Sequence, residues 1–415
     1  MKKESYIDRR ELLASCIEND SVLVLFSGLA PQRSADYPYV FTPYRPFYYL
    51  TGIDREDAIL VMVKKKGKVN TFLFIEKPDE KIEKWTGIRM KPDEAKNISG
   101  IESIFFSEDF KDYFNRIFGG QEIKNIYMSI EHMDSKGIGN YNYQKSIEIL
   151  KRYPSLNLIN VLHIIGKMRT IKSDEEITAI EKAVKITQVG LTEMLKNLKP
   201  NLKEYELESE FDYVVRKNGC TGFSFKTIVA SGKNGTILHY ESNRDEMKDG
   251  DLVLIDLGAE KNYYCGDLTR TFPVNGKYSK RQKQIYDIVL EAQRKVIEAI
   301  VPGIPFSSLN DIVKAVYEER LMEIGLIDKK EELQKYYFHG VSHHLGLDTH
   351  DVCEYDINLK AGMVITVEPG LYISEESIGI RIEDDVLVTE DGCRVLSNDM
   401  IRTTEEIEAF MENNK

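Results

Sequence analysis

Four acidic residues interrupt apolar, strand-like runs in the second half of this 415-residue chain. Asp256 follows four aliphatic residues in LVLIDLG, Asp267 comes eleven residues later in YYCGDLTRTF, Glu368 ends VITVE, and Glu383 stands in GIRIEDDVLV. A carboxylate among aliphatic side chains costs on the order of several kcal/mol unless it is paired or bound to a cation. Any one of these acids alone reads as an ion pair or a turn cap. Four of them, beside a histidine cluster, point to a shared site.

That cluster is HGVSHHLGLDTHD, residues 339–351, with His339, His343, His344 and His350 set among glycines. His339 and His343 have the four-residue spacing of an H-E-x-x-H zinc helix, but Gly340 stands where the glutamate belongs, which disfavours that enzyme class. One imidazole with several carboxylates is hard, oxygen-rich coordination, better suited to Mn2+ or Mg2+ than to a structural zinc. Two divalent ions would balance four carboxylates.

The elements that must carry these residues can be read from periodicity and caps. Ser173-Asp-Glu-Glu is a capping box, with Glu176 three residues after the N-cap. The helix it opens faces Ile177, Ile180, Ala183 or Val184, Thr187, Leu191 and Leu195 inward. Further helices are expected from Asn201 to Asn218-Gly219, from Ser279 to Val301, and from near Ser307 to Gly325. Between them lie strand candidates at 227–230, 252–257, 268–274, 363–367 and 380–388. This half is therefore expected to be α+β with a mostly antiparallel sheet. Its two parts each supply helices and then strands, which hints at duplication. Residues 1–160 hold short β-like runs such as 22–26, 58–63 and 71–75, and 161–172 reads as a linker to a catalytic domain over 173–415. Lys64 to Lys66 and Lys68, around Gly67, read as an exposed hairpin turn.

Composition narrows the class. With 42% hydrophobic and 30% charged residues the chain reads as an ordinary globular protein. A net charge of -12 with no basic stripe argues against nucleic acid and anionic membrane as partners. Five scattered cysteines without a C-x-x-C pair argue for a reducing compartment and against a thiolate zinc site. The N-terminal MKKESYIDRR turns polar where a signal peptide needs an apolar core. A cytoplasmic location follows.

The succession LIDLG, GDLTRTF, HGVSHHLGLDTHD, TVEPGLY and IRIEDD resembles the pita-bread metallopeptidases, specifically the branch of Xaa-Pro aminopeptidase (aminopeptidase P) and prolidase. RSADYPYVFTPYRPFYYLTG, residues 33–52, is similar to the aminopeptidase P amino-terminal domain, so the resemblance covers essentially the whole chain. It implies an α+β fold: a C-terminal pita-bread metallopeptidase domain with a smaller α/β N-terminal domain of the aminopeptidase P/creatinase type.

Carried over residue by residue, the resemblance implies that Asp256 chelates one metal, that His343 and Glu368 hold the other, and that Asp267 and Glu383 bridge the two. Creatinase-like relatives share the fold without this centre. It also implies substrate contacts at His239, His339, His350, Tyr372 and Arg381, whereas His344 matches a variable position and reads as packing. A hydroxide bridging two divalent ions, Mn2+ foremost, would attack the scissile carbonyl. Glu368 would shuttle the proton, and His239 and His350 would hydrogen-bond substrate and oxyanion.

The implied substrates are peptides with proline second, opened at the first bond. Prolidase, which takes only Xaa-Pro dipeptides, is the nearest alternative. Methionine aminopeptidase shares the metal site, but its bacterial form lacks the amino-terminal domain. A non-catalytic pita-bread binding module is the reading from another class, and the intact ligands oppose it. A dipeptidase needs a cation for the free carboxylate, and VCEYDINLKAGM, residues 352–363, offers no arginine, only Lys360. Relatives place an aromatic from the first domain at a neighbouring subunit's active site. Trp85, the only tryptophan, is the candidate for this, in a homodimer or higher homo-oligomer.

Overall fold

The computed structural model describes residues 1–120, 123–131 and 140–414. The chain divides into two compact units, Met1–Met168 and Arg169–Lys415.

The first unit is built on one six-stranded sheet. Its strands are β1 (Ser21–Phe26), β2 (Ile59–Lys65), β3 (Lys68–Ile75), β4 (Ser103–Phe106), β5 (Asn125–Met128) and β6 (Asn157–Asn160), in spatial order β4-β3-β2-β1-β5-β6. All six residues of β1 are buried, which is why its run lacks alternation. β2 and β3 form the expected hairpin, turning at Lys66 and Gly67, both with positive φ. The stretch 161–172, read as a linker, instead carries a helix over Leu162–Thr170, and the division between units falls within it. Its one glycine, Gly166, was too little to break the apolar spacing of LHIIGKM.

The second unit is α+β, and all its strand pairs are antiparallel. Helices α1 (Asp174–Asn197) and α2 (Glu204–Lys217) precede a three-stranded sheet of β7 (Ile228–Ser231), β8 (Leu252–Leu257) and β9 (Leu268–Pro273). Helices α3 (Lys280–Ala299) and α4 (Ser308–Glu323) precede β10 (Val364–Val367), the hairpin of β11 (Gly370–Ile373) and β12 (Ile378–Arg381), then β13 (Asp384–Val388). β10 and β13 form a second three-stranded sheet with a strand over Cys393–Val395. The order of two helices and then an antiparallel sheet thus occurs twice. The capping box at Ser173 is formed, Ile180, Ala183 and Val184 are buried, and Leu191 and Leu195 enter the main core.

A second expectation is corrected. The strand read over 380–388 is two strands, β12 and β13, broken at Ile382 and Glu383. The break lets Glu383 leave the β11–β12 hairpin and pair with Thr269 of β9, which ties the two sheets together at this point. Among the described residues no helix is long and apolar enough to cross a membrane.

Candidate metal centre

β8 and β9 place the first acids. Asp256 lies directly across the ladder from Thr269, and Asp267 precedes Thr269 by two residues. The two-residue period of extended chain puts all three side chains on one face. The bridge from Glu383 to Thr269 adds the third carboxylate, with Glu383 N–H donating to Thr269 O at 3.0 Å and Thr269 Oγ1 donating to Glu383 Oε2 at 2.6 Å. Glu368 follows the end of β10 and is fixed by its own N–H donating to Val341 O at 2.9 Å.

His343 comes from an irregular segment, not a helix, so the His339–His343 spacing has no helical meaning here. Thr366 of β10 clasps it in both directions: His343 N–H donates to Thr366 Oγ1 and Thr366 N–H to His343 O. Its Nδ1 lies 3.1 Å from the carbonyl of His344. A proton on Nδ1, donated to that carbonyl, leaves the Nε2 lone pair free. Nε2 stands 3.5 Å from both Asp267 Oδ2 and Glu368 Oε1.

Asp267, His343 and Glu383 offer ligand atoms that all lie within 4.8 Å of one another, a group able to hold a metal ion. Asp256 and Glu368 line the same cavity of about 570 Å³, as do His239, His339, His350 and Arg381. His350 packs edge-on to His343 at 4.2 Å between ring centres, and His239 is exposed on the rim. Tyr372 is buried beside the cavity and links two of its lining residues: Arg381 Nη1 donates to the Tyr372 hydroxyl at 2.8 Å, and that hydroxyl lies 2.9 Å from His339 Nε2. Gly370 makes room for this, because a Cβ there would lie 2.9 Å from Tyr372 Cζ. His344 is buried outside the cavity, stacked on Phe306 at 5.3 Å, and so is a packing residue.

The electrostatics fit a bound cation. Burial, and then the neighbouring Glu383 and Asp256, hold the Asp267 carboxyl well above its ordinary range. Burial and the nearby Glu368 do the same to Glu383. Burial pushes Glu368 up to about 8, with Arg381 pulling against it. Burial, reinforced by His350, lowers His343 to about 3, so its imidazole is neutral and able to ligate. The buried Oδ1 atoms of Asp256 and Asp267 accept no hydrogen bond from the described residues. Buried oxygens left so are costly, and divalent ions would satisfy them.

A second layer supports these residues. Asp385 Oδ2 accepts the Asp267 N–H at 2.9 Å. Arg270 Nη1 donates to the Glu383 carbonyl at 2.6 Å while Nη2 pairs with Asp384, which also accepts from Gln293. Reading the sequence for ligands alone missed Thr269, Arg270, Gln293, Asp384 and Asp385. The signal available was Glu383-Asp384-Asp385, three consecutive acids inside an apolar run.

The model of metallopeptidase family M24 matches residues 178–390, and that of the aminopeptidase P N-terminal domain matches residues 6–127. A Haemophilus influenzae Xaa-Pro aminopeptidase is 34% identical over 435 residues, covering 99% of this chain and 98% of its own. A Bacillus anthracis structure assigned to aminopeptidase P superposes with a TM-score of 0.98 at 47% identity, covering 100% of this chain and 99% of the other. Escherichia coli aminopeptidase P with the inhibitor Pro-Leu superposes at 0.90 and 32% identity, with 100% and 99% covered. With its pita-bread unit, its aminopeptidase P-type first unit and its buried group of metal-ligating side chains, the chain belongs to metallopeptidase family M24.

Proposed function

We propose that this protein is a Xaa-Pro aminopeptidase working with two divalent ions, Mn2+ foremost. The observation that carries the reading is the convergence of Asp267, His343 and Glu383 in a cavity that Asp256 and Glu368 also line. Asp256 would hold one ion, His343 and Glu368 the other, and Asp267 and Glu383 would reach both. When bound, such ions supply a water that ionises near neutral pH and a Lewis acid for the scissile carbonyl. Glu368 takes up the proton of the attacking water and returns it to the departing proline nitrogen. His239 and His350, on the open side of the cavity, hydrogen-bond the substrate and the charge developing on its carbonyl oxygen. His339, held from behind by Tyr372 and through it by Arg381, forms the wall against which the substrate is placed. An Xaa-Pro bond has no amide N–H, so a wall fitted to the ring selects it by shape.

The lining supports cleavage of chains longer than a dipeptide. Its cationic side chains are Lys226 and Arg381. Arg381 is engaged by Asp256, Tyr372 and Thr269, and Lys360 is not among the lining residues. Lys226, half-exposed and 3.6 Å from Glu241, is what favours the prolidase reading, since it could take a free carboxylate. Comparing kcat/KM on Xaa-Pro and Xaa-Pro-Xaa peptides tests the two. The tripeptide is expected to be preferred, and a clear dipeptide preference would make this a prolidase.

A homodimer or higher homo-oligomer belongs to the same proposal. Trp85 is 90% exposed, and Val40 and Ile88 of the same unit are 82% and 80% exposed. These side chains are free to meet a partner, and a second copy of the chain would let Trp85 reach its neighbour's site. A monodisperse, fully active monomer would exclude that role. The five free cysteines support a reducing, cytoplasmic setting.

A further inference from the structure

We infer that Asp351, held by Arg169 and Lys172, is a positioning residue that sets the metal-facing nitrogen of His343. The inference rests on the metal-centre reading above and concerns residues that touch neither metal nor substrate.

The segment from His343 to Asp351 has no regular structure, yet it carries both His343 and His350. Its own backbone bonds include Gly346 N–H to Asp348 O at 3.1 Å and Asp351 N–H to His344 O at 2.8 Å. The second matters most, because the same His344 carbonyl is the partner of His343 Nδ1 at 3.1 Å. One oxygen therefore accepts from Asp351 and holds the His343 ring, so its position, together with the Thr349 backbone that also faces this ring, sets where Nε2 points.

Asp351 is anchored in turn by charge. Its Oδ1 pairs with Arg169 and its Oδ2 lies 3.1 Å from Lys172 Nζ, and all three side chains are at most 2% exposed. Arg169 Nη2 also reaches Asp348 Oδ2 at 2.7 Å, so Arg169 grips the segment at two points. Gly346 lies against this cluster, and a Cβ there would come within 2.9 Å of Asp351 Cγ and 3.2 Å of Lys172 Cε. A buried ion cluster gains specificity of geometry more than stability, and the geometry specified here is that of His343.

The test is a Mn2+ titration by calorimetry of metal-stripped full-length protein, with thermal unfolding read in parallel. The wild type should bind two ions. Asp351→Asn should weaken one binding event by roughly 10- to 100-fold, the range for loss of a ligand's hydrogen-bonded support, and leave the other within about threefold. Lys172→Met should weaken the same event by a smaller factor, and it decides alone if Asp351→Asn does not fold. Folded variants that bind both ions as the wild type does, or that lose both affinities equally, overturn the inference, since a merely structural role predicts these with a lowered Tm. A wild type that binds no Mn2+ removes the metal-centre reading itself.

Discussion

Arg381 and Asp256 form a buried ion pair, with Nη2 2.6 Å from Oδ2. The guanidinium also donates from Nη1 to Tyr372 and from Nε to Thr269, three directions that a planar fork reaches together and an ammonium does not. Arg381→Lys should therefore lower kcat/KM by roughly 10- to 100-fold, the usual range for such supporting groups. Steady-state kinetics on an Xaa-Pro-Xaa peptide checks this, and unchanged kcat/KM would show that charge alone suffices.

Metal removal is the broadest check on the centre. Chelation should abolish peptide hydrolysis, and Mn2+ should restore it with close to two ions per chain. Asp267→Asn should lose about a hundredfold or more in activity together with metal content, because a neutral amide cannot serve two cations as a carboxylate does. A metal-free protein with full activity would defeat the metallopeptidase mechanism.

Thr269 is predicted to matter although it is neither acid nor histidine. Its hydroxyl donates to Glu383 Oε2 at 2.6 Å and accepts from Arg381 Nε at 3.2 Å. Thr269→Val keeps the shape and removes both bonds, so activity should fall about tenfold. Thr269→Ser should restore most of it. Equal activity in the valine and serine variants would remove the hydroxyl from the account.

Stability of the metal-free protein should depend on pH with a definite sign. Burial raises Glu368 to about 8 from an ordinary 4.5, so the folded state holds its proton where the unfolded state has released it. Stability from this group is present at low pH and lost as pH rises through 8. The buried His343, lowered from 6.5 to about 3, acts oppositely, as do His339, His344 and His350, but their effect is nearly complete about one unit above 6.5. Above about 7.5 the carboxylates dominate, and Tm should fall as pH rises to about 8.5, a change on the order of 1 kcal/mol. Added Mn2+ should reverse the trend. A metal-free Tm that climbs across this window would contradict the electrostatic description.

Much of this protein was legible in its sequence, for a physical reason. Candidate ligand residues differ chemically from their surroundings, so acids in LVLIDLG and GIRIEDD stand out without knowledge of the fold. Helices announce themselves through local caps and periodicity, as at Ser173 and Glu176. Other features depend on contacts between distant segments. The break at Glu383 follows from pairing with Thr269, 114 residues away. Thr269 itself looks like any strand threonine until that pairing exists. The link from Lys172 through Asp351 and the His344 carbonyl to the His343 ring leaves no periodic trace, since each step joins residues that only the folded chain brings together. Which residues can bind metal is a matter of side-chain chemistry and could be read along the chain. How their ligand atoms are aimed is a matter of packing and hydrogen bonding across it, and that was decided by the tertiary structure.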